Sequence, residues 1–343
     1  MSLLRDVKVA VTQAEVDLVM NGPGRFSFTV AGTYDITRKK FLTPNGLPLL
    51  DILSFGAPVE VFMGYVGPKG LTKMISGLVT EIATGFSEGG SPELTVSGYD
   101  HLYPLTLGAN SDAWKDASDS DVVRKIAALS NLTADVDQSA PKHKQIEQNQ
   151  QTDVDFLRTL AKRNDFEFYM ARDRVLRFGK PNDRGTGVVR LTWGRSLLSF
   201  RPEANLAGQI AAVEIRHRDP ATKKEIVGRA TAAQASGIDP GRRSAGEILA
   251  KATGRQVTLR LRQPVFSEAE ARKRAEAILT ENSKKFLTGE AETFGLPDLR
   301  PDKNVEIDGV GEPFSKTYFI EQTTHKVDAS GYRTRLKVKE PSQ

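Results

Sequence analysis

Cysteine is missing altogether from the 343 residues, which rules out disulfides and thiolate metal sites. Histidine is scarce. His101, His143, His217 and His325 do not stand at the short spacings of metal motifs such as His-Glu-x-x-His, so no bound metal is expected. Long apolar runs are missing too. The longest, such as Leu47 to Leu53, fall far short of the ~20 residues that cross a bilayer. The opening stretch, Met1 to Asp6, has neither the basic start nor the apolar core of a secretion signal. There is no glycine-rich phosphate loop ending in Lys-Ser/Thr and no Gly-x-Ser-x-Gly elbow. These absences point to a soluble, cytoplasmically made protein without membrane insertion, cofactor or recognisable catalytic motif.

What is present is ordinary for a folded chain: 39% hydrophobic and 27% charged residues, at a length that suggests two or three domains. The 48 basic and 43 acidic side chains leave a net charge of +5. Residues 1–100 carry 8 basic and 10 acidic groups, residues 101–200 carry 15 and 13, and residues 201–343 carry 25 and 20. The excess is therefore C-terminal and modest. Acids are mixed into it, as in Arg216 to Arg229 and Arg272 to Lys285, whereas a nucleic-acid face concentrates one sign and interleaves aromatics. Nucleic-acid binding is not expected.

The first hundred residues alternate with period two: Val7, Val9 and Val11; Phe26, Phe28 and Val30; Val59, Val61 and Met63; Leu94 and Val96. Turn signals separate the runs at Asn21-Gly22-Pro23-Gly24, Pro44-Asn45-Gly46 and Gly89-Gly90-Ser91-Pro92. This is a sandwich or a barrel. Helical spacing then begins. Ser118 with Asp121 and Thr152 with Asp155 each offer an N-cap oxygen and a first-turn acid, ahead of Val122, Val123 and Ile126 and of Leu157 and Leu160. A hairpin follows, with Phe166, Phe168 and Met170 entering a turn at Arg172-Asp173-Arg174 and Leu176 and Phe178 leaving it. Residues 104–190 read as a small α+β module.

The last third returns to strands at Val213 and Ile215 and at Val257, Leu259 and Leu261. A helix with a capping-box pair, Ser267 and Glu270, interrupts it and carries Ala271, Ala275, Ile278 and Leu279 on one side. Between Thr231 and Gly254, around Asp239-Pro240-Gly241, the chain reads as a long surface excursion with a short helix near Gly246 to Ala252. There is also a faint internal repeat. Val59-Glu60-Val61 and the strand Ile75 to Ile82 echo Val305-Glu306-Ile307 and Tyr318 to His325, the offset slipping from 246 to about 241 residues. Each copy then has a glycine turn, at Gly89-Gly90 or Gly331, and a last strand near Leu94 or Leu336.

The C-terminal order of signals is the most specific part of the chain. It runs from Pro264 and the helix start at Ser267 to Gly289-Glu290, Gly295-Leu296-Pro297, Val305 to Gly311, Phe314, Tyr318, His325 and Gly331-Tyr332. With the middle segments Ser120 to Val123 and Thr152 to Tyr169, it resembles the phage late control protein D family, the hubs of contractile tail baseplates, related to the hub portion of type VI secretion spike proteins. The resemblance implies an α+β, predominantly β fold: two tube-like antiparallel β-barrels with a small α+β module between them. The implied division is 1–103, 104–190 and 191–343, the last with a helix-containing excursion at about 231–288. Gly295, Pro297, Gly309, Gly311, Phe314, Tyr318, His325, Gly331 and Tyr332 form the family-like framework. Two positions depart from it, because Asp302 and Lys316 stand where the family often has glycine.

The resemblance also implies a function: a structural homotrimer that connects a central spike to the tail tube and starts the tube. Its partners would be itself, a spike protein, the tube protein, and tape-measure and other baseplate proteins, within a virion or contractile particle assembled in the host cytoplasm. Because the chain stops at Gln343 without needle-like repeats, the spike is expected to be a separate protein. Hubs of extracellular or type VI-like injection systems are the near alternative. The alternative of a different class is a cell-wall-binding or cell-wall-degrading tail protein, which would need two carboxylates facing a sugar cleft. Asp153 with Asp155, and Glu290 with Glu292, are such pairs in sequence, but the first pair already suits a helix start.

Overall fold

The computed structural model describes residues 3–340 except 5, 66–69, 140, 184, 186, 220–222 and 233–242. The turn proposed at Asp239-Pro240-Gly241 lies outside the described residues. Among the described residues strands dominate, and five α-helices are set among them. The fold is α+β and mostly antiparallel β, as the sequence indicates.

The N-terminal strands are β1 (Ala10–Val19), β2 (Arg25–Ala31), a small ladder of β3 (Tyr34–Asp35) with β4 (Lys40–Phe41), and, after helix α1 (Leu49–Ile52), β5 (Pro58–Met63), β6 (Thr72–Gly85) and β7 (Glu93–Asp100). Alternation of Phe26, Phe28 and Val30 along β2, and of Leu94 and Val96 along β7, buries one face of this sheet with Val16, Met74 and Val79.

The middle elements are β8 (Asn110–Ala117), α2 (Asp119–Leu129), β9 (Thr133–Val136), β10 (His143–Gln151), α3 (Asp153–Asn164), β11 (Glu167–Arg172) and β12 (Val175–Gly179). Both helices start where the sequence places their caps. Ser118 Oγ accepts from Asp121 N–H while the Asp121 carboxylate accepts from Ser118 N–H, and Thr152 Oγ1 accepts from Asp155 N–H. A separate core of Val122, Ile126, Phe156, Leu160, Phe168 and Phe178 holds this part together.

Next come β13 (Gly187–Thr192), β14 (Leu197–Ala204), β15 (Ala212–Arg218), β16 (Glu225–Thr231), α4 (Ala245–Thr253), β17 (Thr258–Arg262), α5 (Glu268–Ser283), β18 (Leu287–Phe294), β19 (Asn304–Asp308), β20 (Lys316–Asp328) and β21 (Gly331–Glu340). Alternation at Val213, Ile215, Leu259 and Leu261 marks strands, but these strands do not join the large sheet. They form a three-stranded sheet of their own, β16-β15-β17, against α5. Periodicity reports a buried face and not the neighbour that buries it. The cap of α5 also differs from a full box: Ser267 Oγ accepts from Glu270 N–H, but the Glu270 carboxylate reaches back to Phe266 N–H.

Among the described residues the large sheet has eleven strands, in the order β14-β18-β21-β20-β1-β2-β7-β6-β5, with β19 attached beside β20 and β13 beside β19. It contains the repeat in full. The series β1-β2-β7-β6-β5 matches β14-β18-β21-β20-β19 strand for strand. Registers match too: Val59 faces Gly77 as Val305 faces Tyr318, and Val61 faces Ile75 as Ile307 faces Lys316. Bulges fall at corresponding places, between Val11 and Gln13 and between Leu197 and Ser199, then between Val79 and Glu81 and between Ile320 and Gln322. Bulges are features of a sheet's design, so their coincidence is stronger than likeness of pattern.

Candidate assembly interface

The two half-sheets meet at one seam, where β1 pairs with the distal part of β20 from Ala14↔Val327 to Val19↔Gln322. His325 lies in this seam opposite Val16 and is fully buried. Its Nε2–H donates to the Leu299 carbonyl at 2.9 Å, so Nδ1 is left to accept from Tyr332 Oη at 2.9 Å and Thr334 Oγ1 at 3.2 Å. Burial pushes its pKa down to about 4, more than the Leu299 carbonyl can restore. It is a neutral structural imidazole.

Gly295 belongs to the same cluster. A Cβ there would stand 1.9 Å from the Tyr332 ring, and Gly295 N–H donates to the Tyr332 carbonyl at 2.8 Å. Tyr332 itself packs into the N-terminal core and lies 5.8 Å from the Tyr65 ring, so it spans both halves. Arg300 adds a second tie across them, donating to the backbone carbonyls of Lys73 and Met74 at 3.1 and 2.6 Å. Pro297 sits half-buried in the β18–β19 connection between these groups.

The remaining framework residues lie elsewhere. Gly309 and Gly311 take φ of +78° and +91° in the β19–β20 turn, where Phe314 N–H and Ser315 N–H both donate to the Gly311 carbonyl. Tyr318 is fully buried, donates to the Phe314 carbonyl at 2.9 Å and meets Phe200 edge-on. Gly331, with φ of +103°, makes the β20–β21 turn. The framework therefore divides into a seam group and a turn group.

The two departures have different outcomes. Asp302 keeps a left-handed backbone, φ +62°, matching Gly56 at φ +78° in the other half. The corresponding hydrogen bonds are Asp302 N–H to the Ile320 carbonyl and Gly56 N–H to the Val79 carbonyl. Its carboxylate accepts from Tyr169 Oη at 2.9 Å and from Asn182 N–H at 2.7 Å, tying the middle part to the C-terminal half. Lys316 is simply the buried first residue of β20.

Several further ties are invisible in sequence. Asn21, in the β1–β2 turn, exchanges backbone and side-chain hydrogen bonds with Phe168, and its carbonyl accepts from Arg158 Nε at 2.7 Å. Lys339 Nζ lies 3.5 Å from Glu167 and 3.2 Å from Glu321; burial opposes its charge, yet these carboxylates leave its pKa raised. No local spacing signals such pairs, because their members are far apart in the chain.

Three of the four acids of the wall-acting alternative are engaged locally. Asp153 accepts from Asn110 and Gln148, Asp155 from Thr152 and Arg158, and Glu292 stands 3.3 Å from Arg335. Among the described residues no group of three or more His, Asp or Glu could hold a metal ion. No described helix is long and apolar enough to cross a membrane. The second half-sheet does present a polar face with a depression of about 480 Å³, lined by Ser199, Arg201, Glu290, Thr324, Arg335 and Lys337 among others. A smaller one adjoins it and reaches Glu15 on β1. Strand edges stay open: among the described residues β14 has no ladder partner besides β18, apart from a single bridge between Trp193 and Leu197, β6 beyond Val79 has a partner on its β7 side alone, and β5 pairs with β6 alone.

The family model described as Alg8 N-terminal domain matches residues 45–329, most of the sequence and both half-sheets. The chain belongs to this family. No match to it is found among curated proteins. Solved structures share its fold along nearly the whole length. A 43 kDa tail protein of prophage MuSo2 from Shewanella oneidensis is similar at a TM-score of 0.71 and 16% identity, covering 97% of this chain and 95% of that one. A tail protein from Neisseria meningitidis MC58 is similar at 0.70 and 16% identity, covering 96% and 92%. An E. coli type VI secretion component, described as structurally similar to the T4 tail proteins gp27 and gp5, gives 0.56 and 11%, covering 96% and 73%. At these identities the likeness establishes the fold, which is that of tail proteins.

Proposed function

We propose that this chain is the structural hub of a contractile tail baseplate, a homotrimer that joins the central spike to the tail tube and starts the tube. One observation carries the reading. The chain holds the same five-strand sheet twice, register and bulges included, joined edge to edge through β1 and β20. Three such chains present six near-equivalent sheets, which is what a threefold spike and a sixfold tube need between them. The fold shared with prophage tail proteins and with a type VI component supports the reading. So does the likeness to a Francisella PdpA-VgrG complex, at a TM-score of 0.52 and 10% identity.

In such a ring the polar face of the sheet lines the bore along which tape-measure protein or cargo passes. The two open edges lie between neighbours. The role is mechanical and requires no catalysis, and the particle is a virion baseplate, a tailocin or a related injection device built in the host cytoplasm. Genes beside this one distinguish those cases: capsid genes mark a phage, while sheath and tube genes without capsid mark the others.

Co-expression with the neighbouring spike and tube proteins tests the proposal. The expected product is a complex of three hubs with one trimeric spike, to which tube protein adds on the opposite side. Failure to bind either protein, together with a zone cleared in a cell-wall zymogram and lost on mutating Asp153 or Glu290, would favour the wall-degrading alternative instead.

A further inference from the structure

The half-sheets correspond residue by residue, yet the chain satisfies their seam contact once. Through the matching bulges, β14 corresponds to β1, so that Glu203 stands where Asp17 does. In the same way β6 corresponds to β20, and Ala83 stands where Thr324 does. At the seam Asp17 faces Thr324, just past the part of β20 that β19 occupies. The counterparts of those two partners are the open outer edge of β14 and the end of β6 beyond the part that β5 occupies.

Burial follows the difference. Thr323 and His325 at the seam are fully buried, whereas Ile82 is half-buried and Thr84 exposed at the corresponding positions of β6. Glu203 and Ala204 are exposed, whereas Asp17 and Leu18 at the seam are half-buried. Open strand edges are normally covered or blocked, and these two are complementary in direction and register.

We propose that β14 of one copy pairs antiparallel with the end of β6 of a second copy, in the register Arg201↔Gly85, Glu203↔Ala83 and Asn205↔Glu81. The proposal rests on the self-assembly in the hub reading and adds the strands and the register that produce it. No like charges face each other directly in this ladder. Each copy has one edge of each kind, so the contact is head-to-tail, and a rotation that closes after three copies leaves neither of these two edges open.

Absence of native cysteine makes the register directly readable by disulfide trapping. Met20 N–H donates to the Glu321 carbonyl, which places Asp17 and Thr324 at a non-hydrogen-bonded pair of the seam. Such pairs bring Cα atoms to ~4.5 Å, within disulfide reach. The Asp17→Cys/Thr324→Cys control should therefore close within one chain. Oxidising full-length Glu203→Cys/Ala83→Cys should link chains into covalent dimers and trimers. The register-shifted Glu203→Cys/Gly85→Cys should link at least about fivefold less, because its side chains lie on a longer diagonal. A protein that is trimeric by mass, with a closed control but equal or absent linking at Glu203/Ala83, overturns the register and leaves the hub reading standing. A protein that neither trimerises nor links at any pair, alone or with its spike, overturns both.

Discussion

At the scale of single residues the seam supplies the sharpest tests. His325 is pushed down to about 4 in the fold, against 6.5 when unfolded. As pH falls the unfolded chain takes up this proton first, so stability from this group is complete above 6.5 and declines by about 3 kcal/mol by pH 4. Asp100 acts in the opposite sense. Burial outweighs hydrogen bonds from Leu102 and Gly24 N–H and raises it from 3.8 to about 7, so its contribution is complete below 3.8 and declines as pH rises towards 7. The two slopes partly cancel in the wild type, and variants separate them. The unfolding free-energy gap between wild type and His325→Gln should narrow by about 3 kcal/mol between pH 7 and pH 4 in denaturant titrations. A gap that stays constant would mean that the imidazole titrates normally.

Gly295 and Asp302 belong to the same scale. Gly295→Ala forces a methyl group into the Tyr332 ring and should cost about 3 kcal/mol, read as a lower midpoint in denaturant. Asp302→Gly sets two effects against each other. It relieves a left-handed backbone, about 1 kcal/mol, and removes charge-assisted bonds from Tyr169 and Asn182, about 1.5 kcal/mol or more each before discounting for partial exposure. The bonds should win, leaving the variant less stable by about 1 kcal/mol; a stabilised variant would contradict this weighing. That Asp302 stands where the resembled family often has glycine was legible in the sequence. That the Asp carboxylate had acquired partners at Tyr169 and Asn182 was not, since neither is near it in the chain.

At the scale of elements the legible features were local ones. Ser118 with Asp121 and Thr152 with Asp155 fix helix starts through groups three residues apart, and both appear as caps. Ser118→Ala should cost about 1 kcal/mol, because it removes the side-chain acceptor of Asp121 N–H at the start of α2. The repeat was legible for a related reason: alternation and glycine turns recur in the same order, and unequal loops explain the slipping offset. The bulges that pin its register could not be seen, because a bulge is defined by the partner strand. Membership of β15 and β17 in a separate sheet was hidden likewise. Val213 and Ile215 announce burial, while α5 decides where it occurs.

At the scale of the whole molecule the two half-sheets join through β1 and β20 into one continuous sheet that leaves open the edges of β14 and of the end of β6. A modest C-terminal excess of basic charge suggests that contacts with partners are steered electrostatically, which affects encounter more than final affinity. Assembly with the spike should therefore slow as salt rises from about 50 to 500 mM, followed by stopped-flow light scattering. A rate unchanged by salt would remove charge from the account. The proposed contact between copies draws on the chain's internal repeat; the proposed contacts with spike and tube have no such internal template.

The most direct test is the mass of the purified protein in solution, measured by light scattering at two concentrations, with and without its spike. A single chain weighs 37.6 kDa. The expected result is a particle of three hub chains, stable on dilution by itself or completed by the spike. A strict monomer under all four conditions would contradict it.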